Sequence, residues 1–186
     1  MIVRDKLTAA DFDAFLALPE NASRRFELLE GDIVEKIPSQ LHAYIISMLS
    51  HFLGMFLQQH PLGYALTEAR YRLPDGTSDF IPDLSFVVRE RAPLVSSGAA
   101  PYMPDLVVEV QSDGQSDRFM LDKALLMLAQ GSRMVWIIYP KRQMIEVLTA
   151  TDRQFLILTD TLEGGTVLPG FRVSVRDLFP PEGTFA

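Results

Sequence analysis

The sequence contains no cysteine among its 186 residues. This absence excludes disulfide scaffolds, thiolate zinc sites and thiol nucleophiles, and it fits the reducing cytoplasm. Residues 1–6 lack the apolar run of a signal peptide, and no stretch approaches the roughly 20 apolar residues that a membrane span requires. We therefore expect a cytoplasmic protein with no membrane partner.

Basic residues are also scarce, with 17 Lys and Arg against 24 Asp and Glu and a formal net charge of -7. Broad affinity for nucleic acid depends on neutralising phosphates with Lys and Arg, so the composition argues against it. A nucleic-acid substrate would have to be bound locally, with the help of a metal ion, or across an oligomer.

Length and apolar content predict a single domain that spans residues 1–186, since 48% of the residues are hydrophobic and can fill one core. The first 60 residues predict a helix, a hairpin and a core helix. Thr8 and Asp11 have the spacing of a capping box before a short helix that ends before Pro19, and Gly31 separates two short strands. Regularly spaced apolar residues at 41–57 predict the core helix.

Residues 64–140 predict a second region that alternates strands with one helix. The strand–helix–strand order at its end is typical of a βαβ unit, and strands near 143–149 and 154–158 would extend the sheet antiparallel. These patterns predict an α/β (α+β) fold. The predicted elements are strands at 64–73 and 79–88 around a turn at 74–76, a loop at 89–103, a strand at 106–110, a helix at 116–130 and a strand at 134–139.

One acidic residue, Glu109, interrupts an otherwise apolar strand. A carboxylate there is costly unless it is paired, hydrogen-bonded or bound to a metal. The residues leave two interpretations open, namely a strand-end glutamate paired with Arg or Lys, and a metal ligand.

Two aspartates compete as partners of Glu109. Asp105 lies four residues away on the same strand, which separates the two backbones by about 13 Å, too far to share one ion. Asp83 belongs to the preceding strand, and neighbouring strands lie only about 4.8 Å apart. Asp83 is therefore the better partner, and Asp105 is expected to start its strand or cap a loop.

Two further polar side chains follow Glu109. Gln111 would project beside both carboxylates, but it carries no positive charge. Lys123, in the next helix, has a stem long enough to bring its ammonium group back to the strand, where it would stabilise developing negative charge. The alternative for Lys123 is a solvated helix lysine paired with an acid.

The order of these motifs resembles the Uma family of restriction-endonuclease-like proteins. The opening Phe26–Gly31 segment and the helix that carries His42 also resemble the family's amino-terminal half, so the resemblance spans most of the chain. The segments that carry it are Pro82-Asp83, Pro104-Asp105-Leu106-Val107-Val108-Glu109-Val110-Gln111-Ser112, Lys123 and Gly131–Pro140.

The resemblance implies a mixed central sheet flanked by helices, with residues 64–140 as the catalytic core of a PD-(D/E)xK nuclease. It implies that Asp83 and Glu109 bind Mg²⁺ or Mn²⁺ and that Lys123, moved from the strand to the helix, supports the attacking water. Gln111 stands where that lysine would otherwise be and would orient water or substrate. Glu27 would be an auxiliary carboxylate, with an ordinary hairpin glutamate as the alternative.

Two functional hypotheses follow. The first is a metal-dependent endonuclease that hydrolyses phosphodiester bonds of nucleic acid, expected to be DNA, and that forms a homodimer because cutting both strands takes two sites. The second is a non-catalytic nucleic-acid-binding or assembly domain that keeps the nuclease fold, which the acidic charge favours.

The three histidines His42, His51 and His60 recur every nine residues, so neighbours point to opposite helix faces and are not expected to bind one metal.

Overall fold

The computed structural model describes residues 6–73, 75–91 and 93–184. The start of the amino terminus, where no signal peptide was predicted, and Pro74 of the predicted turn lie outside the described residues. The described α-helices are α1 (Ala9–Leu16), α2 (Gln40–Gln59) and α3 (Asp117–Ala129). The strands are β1 (Phe26–Leu29), β2 (Asp32–Glu35), β3 (Gly63–Thr67), β4 (Tyr71–Arg72), β5 (Asp79–Phe80), β6 (Leu84–Val88), β7 (Leu106–Val110), β8 (Met134–Tyr139), β9 (Met144–Leu148), β10 (Arg153–Leu156), β11 (Thr161–Glu163) and β12 (Arg172–Ser174).

A six-stranded sheet in the order β10-β9-β8-β7-β6-β3 forms the centre of the fold. Strands β7 and β8 run parallel and are joined by α3, whereas the other neighbouring pairs of this sheet are antiparallel. The predicted mixed sheet, its βαβ unit and its antiparallel extension through β9 and β10 are therefore confirmed.

The strands predicted at 64–73 and 79–88 are each divided between two sheets, which corrects the sequence prediction. β3 and β6 join the central sheet, while β4 and β5 join β1 and β2 in a four-stranded sheet. Glu68 has a left-handed backbone with φ of 54°, which ends β3, and Pro82 interrupts the ladder between β5 and β6 because it has no N–H to donate.

Side-chain caps fix the start of each described α-helix, and the cap at Thr8 is the one predicted from the sequence. The Thr8 hydroxyl accepts from the Asp11 N–H while the Asp11 carboxylate accepts from the Thr8 N–H, completing the capping box. Ser39 caps α2 and Ser116 caps α3. The short β11–β12 ribbon was not predicted, because three-residue strands carry too little periodicity to recognise.

Both faces of the central sheet are buried, because α2 covers one face and α3 covers the other. Residues Ile45, Leu49 and Leu53 of α2 pack in one core with Val108, Trp136 and Ile138 of the sheet. Residues Met120, Ala124 and Met127 of α3 pack in a second core with Val107, Val135 and Ile137. Because strand side chains alternate between faces, Glu109 lies on the same face as Val107, below α3.

Among the described residues, α2 is long and apolar enough to cross a membrane by length and composition alone, which the sequence expectation did not foresee. The core helix of a globular protein also meets that criterion. Ile45, Leu49 and Leu53 are fully buried against the sheet, so core packing accounts for one apolar face of this helix.

Candidate active site

Pairing of β6 with β7 brings the first two predicted residues together. Leu84 lies opposite Val108, so Asp83, one residue before β6, comes beside Glu109. The Val110 N–H donates to Oδ2 of Asp83 at 2.8 Å, which fixes the carboxylate against β7. The aspartate thus precedes its strand instead of lying within it, a small correction that leaves the predicted juxtaposition intact.

A lysine that the sequence did not single out lies between these two acids. The Nζ of Lys36 is 2.5 Å from Oδ1 of Asp83 and 3.6 Å from Oε2 of Glu109. It also donates to the Ile81 carbonyl oxygen at 2.8 Å. Both carboxylates therefore direct an oxygen toward one positive centre.

The predicted helix lysine reaches the other side of Glu109. The Nζ of Lys123 lies 2.9 Å from Oε1 of Glu109 and donates to Oε2 of Glu27 at 2.6 Å. Glu27 accepts a further hydrogen bond at Oε1 from the Ile81 N–H. The structure thus joins Glu27, Asp83, Glu109 and Lys123 in one buried network, and Glu27 is more than a hairpin surface residue because it is only 1% exposed.

His42 holds the far oxygen of Asp83. Its Nε2 lies 3.0 Å from Oδ2 of Asp83, and the imidazole is buried at the start of α2. A carboxylate can only accept, so Nε2 is the protonated ring nitrogen in this contact. With Oδ2 held by His42 and the Val110 N–H, the other oxygen of Asp83 is oriented toward Lys36.

Burial and charge set the protonation of the acids in different directions. Burial raises the pKa of Glu109 to about 7, although the nearby Lys123 and Lys36 act in the opposite sense. Burial alone would raise the pKa of Asp83 as well, but Lys36 and His42 hold it below its ordinary value. Burial disfavours the Lys36 ammonium, yet the surrounding carboxylates outweigh it and raise the lysine pKa. Asp83 is therefore the more acidic carboxyl group of the pair.

The donor set fits a hard divalent cation. Oε1 of Glu109 is buried without a hydrogen-bond partner among the described residues, because its 2.9 Å approach to Lys123 lacks hydrogen-bond geometry. Mg²⁺ is commonly bound through one or two carboxylates and retained waters, which matches Asp83 and Glu109. The described part of the chain contains no group of three or more His, Asp or Glu side chains that could hold a metal ion, so any such ion would depend on the Asp83 and Glu109 pair.

The side chains of Gln111 and Asp105 form their hydrogen bonds outside this network. The Gln111 amide donates to the Gln115 carbonyl oxygen and to the Asp117 carboxylate, both at 3.0 Å, and these bonds direct it to the start of α3. Asp105 accepts from the Val88 N–H and from Arg91 at the start of β7, as expected of a residue that begins a strand.

Sequence reasoning missed Lys36 and His42. Lys36 follows a hairpin strand and carries no motif, and its role depends on the pairing of β1 with β5, which brings the hairpin over Ile81. His42 marks a helix that resembles the family, but its side chain was considered only as a possible metal ligand together with His51 and His60. Its position three residues after the Ser39 cap was the one local signal, because a side chain in the first turn of a helix can face a sheet edge.

A pocket of about 340 Å³ opens onto the network, lined in part by Arg25, Lys36, His42, Asp83 and Ser112. A larger groove of about 1020 Å³ lies between α2 and the carboxyl-terminal segment, away from the carboxylates. We assign the smaller pocket to the site because it alone of the two reaches the buried acids.

The mixed sheet with its paired acids defines a nuclease-like fold. A solved structure from Anabaena variabilis, described as a "putative nuclease belonging to DUF820", superposes with a TM-score of 0.78 at 24% identity, covering 93% of this chain and 97% of that one. The family Uma2, described as "Putative restriction endonuclease", matches residues 12–176. The chain belongs to this Uma2 family. No curated protein matches the chain.

Proposed function

We propose that the protein is a metal-dependent nuclease that hydrolyses phosphodiester bonds of nucleic acid. One observation carries the proposal: Asp83 and Glu109, brought together from β6 and β7, direct carboxylate oxygens toward a single positive centre. Membership of a restriction-endonuclease family supports the same reaction class.

Asp83 and Glu109 would hold Mg²⁺ or Mn²⁺, with waters completing the coordination. When bound, the ion lowers the pKa of a water molecule and neutralises charge on the phosphate. His42 keeps Asp83 in position through Oδ2, which leaves Oδ1 directed toward Lys36.

Lys123 is proposed to stabilise negative charge that develops beside Glu109. Its ammonium group is held by Glu27 as well as Glu109, so it is fixed before substrate arrives. A preorganised charge in a buried site is worth more than one in water, because no reorganisation accompanies the reaction. Gln111 would orient water or substrate only at the start of α3, because its amide is hydrogen-bonded to Asp117 there.

DNA is the proposed substrate and a homodimer the proposed assembly. Exposed apolar side chains at Phe155 and Ile157 on and after the edge strand β10 support association, because such an edge invites pairing. Light scattering of the wild type and of Phe155→Lys tests this. A monomer at all concentrations in the wild type would refute the dimer.

The central test is cleavage of labelled DNA and RNA with and without Mn²⁺ or Mg²⁺. We expect metal-dependent cleavage that Asp83→Asn or Glu109→Gln abolishes, while Asp113→Asn, an exposed acid paired with Lys141, leaves it unchanged. Binding of nucleic acid without metal-dependent cleavage would overturn the proposal in favour of a non-catalytic binding domain.

A further inference from the structure

The two lysines of the site are held in different ways. Lys123 projects from α3, its side chain is 3% exposed, and both of its ion-pair partners are buried glutamates. Lys36 follows the end of β2, its side chain is 13% exposed, and it lines the 340 Å³ pocket. Lys123 is therefore fixed on a packed helix, whereas Lys36 has open space into which its ammonium group can move.

The ammonium group of Lys36 occupies a cage of oxygen atoms. Its partners are Oδ1 of Asp83, the carbonyl oxygen of Ile81 and, at 3.6 Å, Oε2 of Glu109. Two of these oxygens belong to the carboxylates that the proposed function assigns to a divalent cation. An ammonium group and a divalent cation a few ångströms apart in a buried site repel strongly, so both cannot occupy the cage.

We propose that Lys36 is an internal competitor of the divalent cation. Its ammonium group holds Asp83 and Glu109 together in the metal-free protein, and it moves into the adjoining pocket when the cation binds. This inference rests on the proposed function, because it takes Asp83 and Glu109 as the metal ligands. Through this competition Lys36 would regulate the affinity of the site for metal. After the cation binds, the Lys36 ammonium group would carry its positive charge into the pocket that opens onto the site.

The first test compares the Mn²⁺ affinity of the wild type, Lys36→Met and Lys141→Met. The affinity is measured from the electron paramagnetic resonance signal of free Mn²⁺. We expect Lys36→Met to bind Mn²⁺ about tenfold more tightly, in the range typical of coupled sites. Lys141 pairs with Asp113 on the surface and serves as the matched control, with affinity within about twofold of the wild type. Equal or weaker binding by a folded Lys36→Met protein overturns the proposal.

The second test uses the wild-type chain, so it does not depend on a variant that folds. Lysines are acetylated under limiting reagent with and without saturating Mn²⁺, and the rate at each position is measured by mass spectrometry. We expect Mn²⁺ to accelerate modification of Lys36 at least threefold, with Lys123 and Lys141 unchanged. An unchanged Lys36 rate under Mn²⁺ that is bound through Asp83 overturns the proposal.

Neither test contains nucleic acid, so the competition by Lys36 and the nuclease activity can fail separately. Displacement of Lys36 by Mn²⁺ in a protein that cleaves nothing would support this inference and overturn the nuclease proposal. Mn²⁺ binding that Asp83→Asn leaves unchanged would overturn the metal site, and this inference with it.

Discussion

The Lys123 ammonium group donates to Oε2 of Glu27 at 2.6 Å across a separation of 96 residues in the chain. This bond joins the amino-terminal hairpin to α3 directly above Glu109. Lys123 thereby compensates two buried carboxylates at once, and the burial of all three groups makes the contact matter for stability as well as for chemistry.

Lys123→Met is expected to lower the free energy of unfolding by about 3–5 kcal/mol, because it removes the ion-pair partner of the buried Glu27 and leaves Glu109 with only the more distant Lys36. Urea denaturation at neutral pH measures the loss. The double variant Lys123→Met, Glu27→Gln should recover part of it, since one uncompensated charge is removed. Lys141→Met is the control for a surface lysine, and a loss of the same size there would contradict the buried-charge explanation.

His42→Phe is expected to weaken Mn²⁺ binding by about 10- to 100-fold, because residues that orient a metal ligand contribute on that scale. The substitution removes one of the two hydrogen bonds that hold Oδ2, so the Asp83 carboxylate is oriented less firmly. His51→Phe is the matched control, since His51 lies exposed on the same helix. Equal affinities for the two variants would show that His42 does not position Asp83.

Substitution of Asp105 should affect the stability of the fold, whereas substitution of Asp83 should affect nucleic-acid cleavage. Asp105→Asn is expected to cost about 1–3 kcal/mol, because this buried carboxylate accepts from the Val88 N–H and from Arg91. Cleavage per folded molecule should stay at the wild-type level. Asp83→Asn should instead abolish cleavage, and a folded Asp105→Asn protein that cannot cleave would argue against the assignment.

Tyr139 provides a test at alkaline pH that does not change either proposed metal ligand. Its hydroxyl donates to the buried Glu146 carboxylate at 2.6 Å, and burial followed by that carboxylate raises the pKa of Tyr139 well above its ordinary value. A raised pKa favours the neutral phenol in the fold, so its contribution to stability is complete below the unfolded pKa, near 10, and is lost as pH rises further.

Tyr139→Phe should therefore lower stability by about 1–2 kcal/mol at pH 8, where the lost hydrogen bond is fully present in the wild type. The difference from the wild type should shrink as pH rises above 10. Urea titrations from pH 8 to 11 measure it, with Tyr64→Phe, an exposed tyrosine, as the control. A difference that grows with pH would contradict the sign of the pKa shift.

Local patterns predicted the helices and the central strands well because their signals are short-range. The Thr8 capping box and the apolar run of β7 depend on neighbours within a few residues. The division of 64–73 and 79–88 between two sheets was missed, since alternation along a strand does not reveal which sheet it joins. The left-handed backbone at Glu68 was likewise invisible in the residue type.

Periodicity and strand order along the chain were enough to predict the mixed sheet, the βαβ unit and the neighbouring acids Asp83 and Glu109. The packing of separate elements brought in Lys36 and His42, which no motif indicated, and it paired Lys123 with Glu27 as well as with Glu109. Lys36, His42 and Lys123 come from a hairpin end, α2 and α3. Their convergence depends on how separate elements pack, since a charge is placed within 3 Å of a partner by the folded core and not by its spacing in sequence.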